Sequence, residues 1–152
     1  MHIKPGHILK ATPLLNGSVF ENAIIFLTEY NAGGAMGFAV NKLFPRSLNE
    51  LTEFKDSRNF PLYEGGPVDP EHLFFLHRRP ELIEGGSPIT NDIYLGGNFR
   101  QALSCMNDQL ITEDDMKICI GYCGWDYAQL EDEIEEGSWV LQEEGSFPVF
   151  TH

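Results

Sequence analysis

Residues 23–41 read AIIFLTEYNAGGAMGFAVN, and this stretch decides what fold to expect. Two runs rich in branched, aromatic and small apolar residues, 23–30 and 35–41, flank Asn31-Ala32-Gly33-Gly34. Gly and Asn tolerate positive φ, so the short link carries hairpin chemistry and predicts two antiparallel strands. Immediately upstream, residues 7–12 read as another strand, closed by Pro13, which cannot donate to a central ladder.

Working outward, Ser47-Leu48-Asn49-Glu50 has the form of a capping box and predicts a short helix over 48–54. Residues 73–77 (LFFLH) and 93–95 read as strands bounded by Gly-Pro or Gly-Gly turns. Asn98 with Gln101 marks a helix start, followed by Phe99, Ala102, Leu103 and Met106 at helical spacing. Residues 116–123 read as a strand. Asp126 with Gln129 then predicts a further helix with an apolar stripe of Tyr127, Leu130 and Ile134, closed by Gly137. A last strand is expected over 138–142. Strands outnumber helices without alternating with them, which predicts an α+β fold, a mixed or antiparallel sheet flanked by short helices.

The length of 152 residues suits a single domain spanning 1–152. Apolar residues make up 42% of the chain and Phe occurs 11 times, enough for a core without disulfide or metal staples. The start, Met1-His2-Ile3-Lys4-Pro5-Gly6, lacks the apolar stretch of a secretory signal, and no run approaches the ~20 residues of a membrane helix. A cytoplasmic location is the resulting expectation. Net charge is −13, and residues 113–152 carry eleven carboxylates against Lys117 alone among Lys and Arg. Nucleic-acid affinity rests largely on Lys and Arg neutralising phosphates, and anionic membrane surfaces make the same demand. Only Arg78-Arg79 form an adjacent basic pair, so neither nucleic acid nor membrane is an expected partner.

Four stretches together resemble the AlgH/YqgE family over nearly the whole chain. They are Leu9-Lys10-Ala11-Thr12-Pro13, Gly37-Phe38-Ala39-Val40-Asn41-Lys42, Tyr63-Glu64-Gly65-Gly66-Pro67-Val68, and Gly121-Tyr122-Cys123-Gly124-Trp125 leading to Gln129-Leu130-Glu131 and Trp139. The resemblance implies a compact α+β fold around a small closed, barrel-like core with flanking helices. Such proteins are often labelled transcriptional regulators after an association with alginate production, a label that names no biochemical activity. The resemblance also implies a further helix beyond Trp139, where this sequence runs instead to Ser146-Phe147-Pro148-Val149-Phe150-Thr151-His152.

Candidate chemistry is sparse. Cys119 and Cys123 would share a strand face about 13 Å apart at ~3.3 Å per residue, too far for a disulfide and without a zinc spacing. Cys105 reads as packing. His72 and His77 fall on opposite strand faces, so no metal site is expected. His77 is the best single acid–base candidate, against the competing reading of a hydrogen-bonded structural histidine. No nucleophile elbow, P-loop, dinucleotide fingerprint or zinc-protease motif is present, and no cofactor is expected. Gly65-Gly66-Pro67 and Gly96-Gly97 could offer backbone amides to an anion, or simply form turns.

The acidic segment is more informative. Glu131, Asp132, Glu133, Glu135 and Glu136 crowd one short helix without an offsetting Lys or Arg. The last two oppose the helix dipole at a cost of roughly 0.3–1 kcal/mol each. These residues form either a solvated face or a dock for a basic protein partner, with Trp125 and Gln129 beside them. The leading expectation is a non-enzymatic binding or regulatory module acting through protein contacts on this acidic helix. Its alternative is a small-ligand binder or enzyme with a pocket between Gly65-Gly66-Pro67 and the strand carrying Asn41, near His77. The enzyme reading requires Asn41, Gly66, His77 and Trp125 to share a concavity.

Overall fold

The expected hairpin is present: β2 (Ile24–Asn31) and β3 (Gly34–Ala39) pair antiparallel, with Asn31 opposite Gly34. Asn31 closes the turn by accepting from the Gly33 amide through its side chain at 2.8 Å. The computed structural model describes residues 2–150. In chain order the remaining elements are β1 (Ile8–Ala11), β4 (Leu43–Ser47), β5 (Pro61–Glu64), β6 (Val68–His77), β7 (Ser87–Pro88) and β8 (Tyr94–Leu95). Helix α1 (Phe99–Asn107), strand β9 (Met116–Asp126), helix α2 (Gln129–Glu135) and strand β10 (Trp139–Gln142) complete the fold.

The sheet runs β10-β1-β2-β3-β9-β6-β8-β7, with β5 added to β9 and β4 to β5. Its pairings are antiparallel apart from β5 on β9, which is parallel. This is the expected α+β architecture with one correction: the sheet stays open, and β10 and β7 end it without closing a barrel. Strand β9 bends instead. Residues from Met116 to Ile120 pair with β5 and β6, whereas Cys123–Asp126 pair with β3. Gly121 sits at the change of partner with φ +71°, a left-handed conformation that glycine adopts without penalty.

Both faces of the central strands are buried, which explains the unbroken apolar run in β2. Successive side chains of a strand point to opposite faces. Ile25 and Leu27 accordingly join Leu9, Trp125, Leu130 and Trp139 in one cluster. Phe26 joins Ile8, Phe38, Tyr63, Leu76 and Cys119 in another. A third cluster under α1 holds Leu48, Leu62, Phe75, Ala102, Met106 and Ile118.

Other local expectations are corrected. The 48–54 helix is two 3-10 turns, Leu48–Glu50 and Thr52–Phe54. Ser47 caps neither; its hydroxyl donates to Asn49 Oδ1 at 2.7 Å and Glu50 Oε1 at 3.1 Å. Asn98 does cap α1, accepting from the Gln101 amide at 3.0 Å. Helix α2 starts from Ala128, left-handed at φ +62°, and not from Asp126. Tyr127 is 76% exposed and lies outside the apolar stripe. Gly137 ends that helix with φ +88°, as expected.

Cys119 and Cys123 are both free and buried, yet they enter different clusters. The bend at Gly121 breaks the alternation that would have put them on one face. Strands β4, β5 and β7 were not legible in the sequence.

Candidate functional site

The sequence candidates separate into three places. At the first, the Gly65-Gly66-Pro67 turn crosses the bend of β9 at backbone contact. A Cβ on Gly66 would lie 2.2 Å from the Tyr122 carbonyl, and one on Gly65 would lie 2.3 Å from Gly121 O. Gly65 spends its own polar groups on the fold: its amide donates to Ile120 O at 2.8 Å, and its carbonyl accepts from the Ala39 amide at 2.8 Å. Cys123 Sγ also donates to that carbonyl at 3.3 Å. The Gly65 amide is therefore not offered to an anion.

Beside this crossing lies a cavity of about 290 Å³. Val19, Phe20, Phe44, Pro67, Ile120 and Cys123 supply apolar walls, with Lys42 and Glu64 among the lining residues. One wall belongs to the 16–23 loop, and Asn41 and Lys42 hold it in place. Asn41 Oδ1 accepts from the Ile24 amide at 2.9 Å, and Asn41 Nδ2 donates to Asn22 O at 2.9 Å. Lys42 Nζ donates to Val19 O at 2.9 Å. Asn41 thus shapes the cavity from behind. Burial pushes the Cys123 thiol up to about 12, so the sulfur facing this space stays protonated near neutral pH.

A second cavity of about 720 Å³ shares Phe44, Pro70 and Ile120 with the first. It runs past Leu51, Phe54, Phe99 and the exposed β6 residues Glu71 and His72. There the β6–β9 ladder slips between the pairs Val68–Tyr122 and Leu73–Ile120. Residues 69–72 bulge outward, with Asp69 at φ +52°.

His77 occupies the second place, at the far end of β6. It is fully buried and stacked between Phe75 and Tyr94, with ring centroids 5.7 Å from each. Arg79 N donates to Nδ1 at 3.1 Å, and Nε2 lies 2.9 Å from Gly96 O. Together these partners select the neutral tautomer with its proton on Nε2. Burial lowers its pKa, partly offset by the Gly96 hydrogen bond. Both ring nitrogens are engaged within the fold.

Trp125, Gln129, Glu131 and Glu133 make up the third place. Trp125 is 6% exposed. Its indole donates to Glu133 Oε1 at 3.1 Å, and the Trp139 indole donates to the same oxygen at 3.0 Å. Gln129 links Asp126 N to Glu133 Oε2, each at 2.9 Å, while Tyr30 donates its hydroxyl to Glu131 at 2.7 Å. Two of the five carboxylates, Glu131 and Glu133, are therefore hydrogen-bonded to the sheet, leaving Asp132, Glu135 and Glu136 exposed. Among the described residues no Lys or Arg forms a salt bridge with α2; Arg78 and Arg79 pair with Asp115, and Arg79 also with Glu81.

Asn41, Gly66, His77 and Trp125 do not share a concavity: the first two build the cavity, and the others belong to separate networks. Sequence reasoning missed Val19, Phe20, Lys42 and Phe44. Lys42 adjoins Asn41 in a quoted motif, but its contact with Val19 spans 23 residues and leaves no local signal. Lys117 was also missed as a buried group. It is 3% exposed, donates to Val40 O at 2.6 Å and lies 4.1 Å from the centroid of the Tyr63 ring. Burial brings its pKa down to about 8.

Comparisons with known proteins agree on one relationship. The family model described as AlgH-like matches residues 8–152. A UPF0301 protein of Chlorobaculum tepidum is 33% identical over 149 residues, covering 98% of this chain and 80% of that protein. One from Cytophaga hutchinsonii is 34% identical over 146 residues, covering 95% and 80%. The solution structure of AlgH from Pseudomonas aeruginosa superposes with a TM-score of 0.76 at 24% identity, covering 99% of this chain and 84% of that one. At that identity the superposition shows the fold alone. Among the described residues no helix is long and apolar enough to cross a membrane.

Proposed function

The chain belongs to the AlgH-like family, and from that premise we propose that it is a non-enzymatic binding module that engages a protein partner through the cavity beside Gly66 and Pro67. The observation that carries this reading is the preformed apolar recess of about 290 Å³, whose loop wall is fastened by Asn41 and Lys42. Aromatic and aliphatic anchors of a protein partner seated in such recesses typically carry much of an interface's binding energy. Val19 and Leu43, 66% and 64% exposed, add apolar surface in the same region of the chain. The net charge of −13 favours a basic partner over nucleic acid or an anionic membrane. Any part in gene regulation would then run through a DNA-bound partner, and the purified chain alone would give no gel shift.

The reading is tested by titrating ¹⁵N-labelled protein with short peptides containing leucine and phenylalanine. Amide shifts should concentrate at Val19, Ala39, Phe44 and Ile120 and vanish in a folded Phe44→Ala variant. Shifts confined to α2, or none at the recess, would overturn it.

A further inference from the structure

The two cavities adjoin, with Phe44, Pro70 and Ile120 lining both, and together they make a candidate groove. Its lining is largely aromatic and aliphatic, with Phe20 in the smaller cavity and Phe54 and Phe99 in the larger. Its lining carries the carboxylates Glu53, Glu64 and Glu71, all exposed. The basic groups there are Lys42, whose ammonium is already turned onto Val19 O, and His72, which lies 3.6 Å from Asp69. Acidic groups therefore outnumber cationic ones along an apolar trough.

We propose that this groove binds an extended protein segment carrying apolar anchors interleaved with lysine or arginine, the apolar side chains filling the two cavities and the cations meeting Glu53, Glu64 and Glu71. The inference deepens the binding-module reading and rests on it. Charge complementarity selects this occupant. An acidic or phosphorylated segment would bring like charge to the three carboxylates, and like charges in apposition are disfavoured. A second copy of this chain would bring its own net charge of −13 to the same rim. The bulge at residues 69–72 fits the assignment, since it turns part of β6 out of the ladder and makes it a wall of the larger cavity.

The probe is a fluorescein-labelled peptide of about ten residues alternating leucine and lysine, reaching about 33 Å when extended at ~3.3 Å per residue. Its counterpart alternates leucine and glutamate. Anisotropy should report binding of the lysine peptide, at least tenfold weaker binding of the glutamate peptide, and loss of affinity with added salt. Glu53→Gln, Glu64→Gln and Glu71→Gln combined should weaken the lysine peptide roughly tenfold, given a modest worth for each exposed pair. Phe44→Ala should weaken it as well, and Val19→Asp provides a second block should Phe44→Ala fail to fold.

Neutralising Asp132, Glu135 and Glu136 should leave affinity unchanged. If that α2 variant loses binding while the rim variant keeps it, the groove assignment is overturned. Equal binding of both peptides at the recess would sink the charge assignment and leave the binding-module reading standing. Displacement of a recess-bound fluorophore by decanoate, but by neither peptide, would make the groove a lipid site and overturn both readings.

Discussion

Trp125 and Trp139 donate their indole N–H groups to a single carboxylate oxygen, Glu133 Oε1, with their rings edge to face at 5.9 Å. The shared acceptor ties β9, β10 and α2 together at one atom. An unsatisfied buried donor costs about 1–3 kcal/mol. Glu133→Ala should therefore destabilise the fold by about 2–5 kcal/mol, and Glu133→Gln, which keeps an acceptor, by clearly less. Urea unfolding followed by tryptophan fluorescence measures both; equal small losses would show that the shared oxygen contributes little.

Gly66 and Gly96 should respond very differently to alanine. At Gly66 the new methyl would meet Tyr122 backbone at 2.2 Å, a collision that only movement of β9 relieves. At Gly96 nothing lies within 4 Å, and only the left-handed φ of +72° is unfavourable. Gly96→Ala should cost about 1–2 kcal/mol, and Gly66→Ala more than twice that or failure to fold. Thermal denaturation compares the two, and similar losses would contradict the close crossing.

His77 should make the fold sensitive to acid. Its folded pKa is lowered from 6.5, so below that value the unfolded chain binds the proton first. Its stabilising contribution is complete above about 6.5 and is lost as pH falls toward the lowered folded value. The His77 ring resonances should titrate below pH 6.5 in an NMR pH series. His77→Phe should flatten part of the stability slope between pH 7 and 5, and His7, also lowered by burial, should retain the remainder.

Lys117 should give the opposite end of the pH range its character. The folded amine loses its proton at about 8, against 10.5 when exposed, so stability rises with pH from 8 upward. Cys119 and Cys123 act against this around 9.0 and above, since both are pushed up to about 12 when buried and the unfolded thiols ionise first. Between pH 8 and 9 Lys117 should contribute a gain of about 1 kcal/mol, which the unfolded thiols, half ionised by pH 9, cut to a net few tenths in denaturant melts. That gain should be absent in Lys117→Met.

What the sequence made legible was local. The β2–β3 hairpin, the Asn98 cap and the Gly137 helix end each depend on residues within a few positions of one another. Strands β4, β5 and β7 escaped notice because they are short and contain proline, and β4 and β5 also owe their pairing to distant partners. The turn at Gly65-Gly66-Pro67 lies beside a cavity for a reason the sequence did not carry. Its glycines admit the backbone of β9, and the cavity beside it depends on a loop folded back from 16–23. The acidic run was visible as charge. Its division into hydrogen-bonded and solvated carboxylates was not, because Trp139 reaches Glu133 only after β10 pairs with β1.

The bend of β9 at Gly121 carries a consequence for how the molecule comes apart. One strand serves as the seam of both halves, paired to β3 beyond the bend, to β5 before it and to β6 on both sides of it. Neither half can peel away without stripping partners from the other, so the sheet should melt as one cooperative unit. Amide exchange would then slow to a common global rate from Ile25 through to Ile118, and fraying would be confined to the outer margins.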